Sequence, residues 1–471
     1  MASEKVNKFG ISESSAKEIL EIALATGGDF AEVYMESTLN ETIRAMSGKI
    51  DNINSSTVKG AAIRILKDDM EVSASITDCS IENIKKVARK LAESIKGDNI
   101  TKILPFVEKN VTVNTKTITP KNENFDFEVE AINKATKVVL EYSPEIVQVM
   151  VLVWKKIQEI FVFASDGTWQ GDTRDNTRFV VQAIASDGKS MQNGSAGWGM
   201  NQGMEMFESI NIEEIAREAA YDAVEMLHAD EMVGGEIPVV INNGFGGVIL
   251  HEACVHGLEA TSVAKGQSVF CGKIGEKIAS DIVNAVDTGC DENEWGSINV
   301  DDEGTPAERT VLIENGILKS YLVDKRNSRI MNHPITGSSR RESYKQQTTS
   351  RMRNTYFLNG TSTFEEIIAA TKYGLFAKKM GGGSVNPATG EFNFAVNVGY
   401  LIEDGKITKP VKGATLVGSG KDVLLRIDMI ANNLSCSQGM CGSLSGSIPT
   451  NVGQPTIRVS HMTVGGKGGN N

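Results

Sequence analysis

The chain has 471 residues, more than one ordinary core accommodates, so two or three domains are expected. Its 40% hydrophobic and 23% charged residues are ordinary for a soluble protein, while a net charge of −12 without any basic stripe argues against a nucleic-acid partner. No run approaches the roughly 20 apolar residues of a membrane span, no apolar segment follows the first residues, and six cysteines are too few for a disulfide framework, so a cytoplasmic protein with thiols that are buried or metal-bound is expected, with no membrane partner.

Residues 13–26 carry Ala16, Ile19, Leu20, Ala23 and Leu24 on one helical stripe, which Gly27-Gly28 ends. Strand-like runs follow at Phe30–Glu36, Glu41–Met46, Val58–Ile65 and Glu71–Ile76, then a charged helix near Ile81–Ile95. The pattern recurs: a helix over 126–142, strands at Ile146–Trp154, Gln158–Phe163, Thr177–Ala185 and Met191–Gly197, and a helix at Ile212–Leu227. Helix, antiparallel strands, helix, twice over, points to an internal duplication. Gly234-Gly235 marks a boundary, giving an α+β domain over residues 1–233 and a strand-rich, barrel-like domain over 234–471. The second domain opens with a strand, Ile237–Ile241, and the loop Gly244-Phe245-Gly246-Gly247. That loop lacks the full spacing of a phosphate-binding turn and reads as a close packing contact. Asn315-Gly316 and Asp404-Gly405 sit at the turns of two hairpins. Helices are expected at Thr363–Thr371 and Val423–Asn432, and a disordered tail from Gly465.

Chemistry concentrates in His251-Glu252-Ala253-Cys254-Val255-His256. Only five histidines occur, and two of them stand five residues apart with a glutamate directly after the first. Zinc takes neutral imidazoles with a thiolate or carboxylate, and a catalytic site keeps one position open. On a regular helix, positions five apart diverge by roughly 140°. Either a π-bulge or a helix break at Gly257 is therefore needed to bring His251 and His256 together. Cys254 reads as core. Glu259, His461, Cys436 and Cys441 are candidates for a third ligand. Arg340, Arg341, Tyr344 and Asn354 are polar groups in one region, best read singly as a solvated loop.

Four segments in order resemble the TldD/PmbA family of bacterial and archaeal peptidases. They are Gly246 to Glu259, Arg351-Met352-Arg353-Asn354-Thr355-Tyr356, Pro410 to Gly418, and Met440-Cys441-Gly442 followed by Val452 to Val459. The resemblance covers nearly the whole chain, and it implies Zn²⁺ bound by His251, His256 and Cys441, with Glu252 as general base. It also implies an unfolded peptide substrate added to a sheet edge, and a dimer, formed either by two copies or with a metal-free relative. Val255 departs from the glycine common before the second histidine, which bears on helix geometry rather than ligation. The rival expectation is a non-catalytic modulator subunit with a structural metal or a substrate-presenting role.

Overall fold

The computed structural model describes residues 7–97, 101–109, 111–113, 125–386 and 389–467. Its first part is one six-stranded antiparallel sheet built from two like units. The first unit is α1 (Glu13–Leu24), β1 (Phe30–Met46), β2 (Lys49–Lys67), β3 (Met70–Ile76) and α2 (Ile81–Ala92). The second is α3 (Asp126–Tyr142), β4 (Ile146–Ala164), β5 (Trp169–Ser186), β6 (Met191–Met200) and α4 (Ile212–Leu227). Strand order is β3-β2-β1-β4-β5-β6, so the units meet where β1 pairs with β4, in a register running from Glu32↔Ala164 to Met46↔Met150. The order expected of a duplication is thus laid out across one sheet.

Strands β1 and β4 are each longer than the sequence suggests. The polar stretches Ser37–Asn40 and Lys155-Lys156 read as interruptions, yet they pair with each other, Asn40 opposite Lys156. Lys155 is buried there by ion pairs to Glu41 at 3.0 Å and Glu128 at 2.7 Å. A paired charge can continue a buried strand where an unpaired one would end it.

Alternation decides what each face does. Val33, Met35, Ile43, Ala45, Ile63, Phe179 and Val181 point to one face, where the helices cover them. The opposite face carries Glu32, Tyr34, Glu36, Arg64, Asp172 and Arg174, all buried although most are charged. The C-terminal part lies on them. Arg64 holds Glu32 at 2.9 Å and reaches across to Glu303, Arg174 pairs with Asp302 at 2.8 Å, and Arg341 stacks 4.4 Å from the centre of the Tyr34 ring.

In the C-terminal part five strands close a barrel: Tyr373–Val385, Gly235–Ile241, Ile457–Gly465, Thr415–Ser419 and Glu391–Glu403, the last pairing back to the first. A second sheet places Ala285–Thr288, Asn354–Phe357, Gly446–Gln454 and Ser435–Ser443 side by side, with Ser435–Ser443 at its edge. The expected hairpins form, with left-handed Asn315 (φ 49°) and Gly316 (φ 77°) at one turn and Asp404 (φ 49°) and Gly405 (φ 72°) at the other. The helix expected at Thr363–Thr371 spans Phe364–Ala369, capped by Thr363. That expected at Val423–Asn432 does not form as read. A short helix, Gly420–Leu425, starts earlier on the Ser419 cap, and Ile427–Ile430 is a strand pairing with Ile457–Val459. Pairing with the barrel strand Ile457–Gly465 overrides local propensity here. The disordered tail expected from Gly465 does not start there, since Gly465 ends a strand and Lys467 bridges to Val233. Residues 468–471 lie outside the described residues.

Candidate metal centre

The loop Gly244–Gly247 leads into α5 (Val248–Ala253), a helix of six residues whose apolar side chains Ile249 and Leu250 enter the main core. Gly247 lies against the backbone of Gly453 so closely that a Cβ would overlap it. The start of α5 is therefore pressed onto the hairpin that carries Cys441. This is the packing contact expected of the glycine loop.

Neither a π-bulge nor a break at Gly257 resolves the five-residue spacing. α5 stops at Ala253, Cys254 turns the chain at φ −127°, ψ −61°, and Val255–Leu258 continues as a 3₁₀ turn. Cys254 is itself fully buried, and burial pushes its thiol up to about 12. The turn swings His256 back toward His251, so the ring centroids stand 4.9 Å apart and nearly perpendicular.

Cys441 reaches this pair from the edge strand Ser435–Ser443. Its Sγ lies 3.2 Å from His251 Nε2 and 3.4 Å from His256 Nε2, and the three donor atoms all fall within 4.8 Å of one another. A tetrahedron with bonds of 2.0–2.3 Å has edges of about 3.3–3.8 Å. The two sulfur–nitrogen separations are close to such an edge, and two imidazole nitrogens with a sulfur are a donor set that suits Zn²⁺. Burial opposes a charged Cys441, but the neighbouring His251 and His256 outweigh it and hold its thiol well below the ordinary range. Burial would likewise lower His256, yet Glu259 and Cys441 hold it well above its ordinary value.

Glu259 is brought to the site but not into the donor set. Its Oε2 lies 3.2 Å from His256 Nδ1, which makes Nδ1 the donor and turns the Nε2 lone pair toward His251 and Cys441. The wholly buried Arg351 holds the other side: its Nε is 3.7 Å from Glu259 Oε1, and its Nη2 donates to the Cys441 carbonyl at 2.6 Å. Sequence reasoning left Glu259 among the candidate ligands and gave Arg351 no role. The signal was the pair Arg351 and Arg353, two residues apart beside Asn354: each is wholly buried, and each has a carboxylate, Glu259 or Asp287.

Glu252 stands at the rim. Its side chain is 24% exposed, with Oε2 3.6 Å from His256 Nε2, so it faces the open side of the triad. His461 is exposed on the barrel, beside Ser460. Cys436 lies in a separate hollow with Asp291 and Glu294, where burial and those carboxylates push its thiol up to about 12. The polar group expected in a solvated loop is buried instead, Arg341 and Tyr344 against the N-terminal sheet and Arg340 and Asn354 within the C-terminal part. Arg340 donates to the Pro449 carbonyl at 2.7 Å, Arg341 donates to Glu32, Tyr344 packs on Gly60, and Asn354 bonds Ser297 and Gly296.

Comparison with known proteins accords with this architecture. The PmbA/TldA metallopeptidase models match residues 31–95 (domain 1), 118–227 (central domain) and 234–466 (C-terminal domain). A "Metalloprotease TldD homolog" of Haemophilus influenzae is 34% identical over 97% of both chains, and one of Buchnera aphidicola 33% over 93% of both. A "Zinc metalloprotease TldD homolog" of Saccharolobus solfataricus is 24% identical, covering 93% of this chain and 97% of its own. Two solved structures share the fold. A Thermotoga maritima protein described as a modulator of a DNA gyrase superposes with a TM-score of 0.79 at 20% identity, over 96% of this chain and all of its own. TldE from Thermococcus kodakarensis gives 0.78 at 18% identity, over 96% and 99%. With three matched domains and relatives above 30% identity over nearly its full length, this chain belongs to the PmbA/TldD metallopeptidase family.

Proposed function

We propose that the protein is a zinc-dependent peptidase acting on unfolded peptides, with His251, His256 and Cys441 as ligands and Glu252 as general base. The observation that carries this is the meeting of three donor atoms, from positions 251, 256 and 441, within 4.8 Å of one another. Among the described residues His251 Nδ1 is buried without a hydrogen-bond partner, while Nε2 faces Cys441. A bound Zn²⁺ supplies Lewis acidity, polarising a carbonyl and making water acidic near neutral pH. Glu252 stands on the open side of the triad, where it can take a proton from an attacking water and deliver it to the leaving amine. Glu259 holds His256 in the orientation this needs, and Arg351 fixes the Cys441 backbone.

The relatives' names support the reading: several are called metalloproteases and one a zinc metalloprotease. Among the described residues, no fourth His, Cys, Asp or Glu donor completes the cluster, which favours an open catalytic position over a closed structural one. The edge strand Ser435–Ser443 offers its backbone to an extended peptide. A dimer, of two copies or with a metal-free relative such as the TldE whose fold it shares, belongs to the same proposal. No helix among the described residues is long and apolar enough to cross a membrane, and we place the protein in the cytoplasm.

The test is Glu252→Gln. Cleavage of an unfolded peptide should fall by about 10²- to 10⁴-fold while zinc content stays at the wild-type level. Cleavage persisting at the wild-type rate would remove Glu252 from the base role.

A further inference from the structure

We propose that Arg178 binds a carboxylate group of the substrate, in a cleft lined by the segments that lead into the candidate metal ligands. Arg178 lies on the β5 face that the C-terminal part covers, between Trp154 of β4 and Gly199 of β6. Arg64 and Arg174 occupy the same face, and each holds at least one carboxylate within 3.1 Å. Arg178 has none. No carboxylate comes within ion-pairing distance of it among the described residues, its buried Nε has no hydrogen-bond partner, and burial alone lowers its pKa. A guanidinium left unpaired at a partly buried position costs free energy that an incoming anion would recover.

The side chain lines a cleft of about 580 Å³, within the range of small-ligand sites. The Gly244–Gly246 loop and Ser435, Ser437 and Gln438 line the same cleft. These are the segments that lead directly into the proposed metal ligands. Gly246 precedes His251 by five positions, and Gln438 precedes Cys441 by three, about 10 Å of extended strand. A peptide lying in the cleft along that strand has its carboxylate within a few residues of the triad. Lys378 and Lys379 also line the cleft, but Asp222 and Glu218 already neutralise them. Arg178 is the cation in this cleft that remains for a ligand.

This inference rests on the peptidase reading, so the test separates the two. Binding is measured on the Glu252→Gln protein, loaded with zinc, for three short peptides of one sequence: a free C-terminal acid, its amide, and the amide carrying one glutamate. One carboxylate-bearing peptide should bind about tenfold to a hundredfold more tightly than the plain amide. Preference for the free acid assigns a chain terminus to Arg178, and preference for the glutamate peptide assigns an acidic side chain. Arg178→Gln should abolish the preference and leave zinc content and amide binding unchanged, while Arg178→Lys should keep part of it. Equal binding of all three peptides, no binding of any, or a preference that survives Arg178→Gln overturns the inference. If the preference is seen but wild-type protein cleaves none of the peptides, the peptidase reading fails and the carboxylate site stands.

Discussion

Removing Glu259 should separate the two jobs this carboxylate does. One is to accept from His256 Nδ1 at 3.2 Å, and outer-shell partners of this kind are worth about 10- to 100-fold in metal affinity, or about 1.4–2.7 kcal/mol. The other is to neutralise Arg351, which is wholly buried, at 3.7 Å. Breaking a buried pair by removing one partner costs about 3–5 kcal/mol. The pair is long, and Arg351 keeps its bonds to the Cys441 and Gly446 carbonyls and the Ser445 hydroxyl, so the lower end, about 3 kcal/mol, applies. Glu259→Ala should therefore bind zinc about 10- to 100-fold more weakly. It should also unfold about 6–12 °C lower without metal. Glu259→Gln keeps an acceptor for Nδ1 and loses only the charge, so its zinc affinity should fall less while the metal-free stability drops by a similar amount. Competition with a chromophoric chelator reads the first effect, and thermal unfolding of the metal-free proteins reads the second. A folded Glu259→Ala protein with wild-type zinc affinity would show that Glu259 does not orient His256.

Elemental analysis should find zinc lost from Cys441→Ser and kept by Cys436→Ser; equal zinc in both variants would exclude Cys441 as ligand. Alkylation at pH 8 should tell the thiols apart. Cys254 and Cys436, raised to about 12, stay protonated until the pH approaches that value and should react slowly. Cys441, whose pKa is lowered, should react quickly in chelator-treated protein and be shielded when zinc is added; fast reaction of Cys436 instead would contradict the assignment. Gly247→Ala should lower both stability and zinc content, because its Cβ would push α5 off Gly453, and mass spectrometry of the native protein reads the metal directly. An alanine variant with full zinc occupancy would show that the contact is dispensable.

The sequence carried the elements well where one face is apolar. α3 and α4 fall at the expected residues, because Ile132, Ala135, Val139 and Ala216, Ala220, Ala223 keep an unbroken helical stripe toward the sheet. It failed where charge is buried. Lys155 and Lys156 looked like the end of a strand because Glu41 and Glu128, which pair with Lys155, and the β1 residues opposite both come from distant positions. The same blindness hid Arg351 and turned the Arg340–Tyr344 region into a solvated loop. In the candidate metal centre the pairing of His251 with His256 and the need for an irregular helix were read from the residues, while the third member stayed open among Glu259, His461, Cys436 and Cys441 and only the family resemblance pointed to Cys441. The place of the irregularity was not legible, since Cys254 has no side-chain feature that announces a turn. The cleft at Arg178 was out of reach altogether, because an unpaired arginine is recognised only once every distant carboxylate has a position.

The closing strand of the barrel, Ile457–Gly465, sits between its first strand, Gly235–Ile241, and Thr415–Ser419. On a ribosome, the strand that seals the cylinder thus emerges after its four barrel partners. Cys441 leaves the exit tunnel 190 residues after His251. A growing chain holds both imidazoles long before it gains the Cys441 sulfur, so a nascent polypeptide cannot bring the three side chains together until that late segment has emerged.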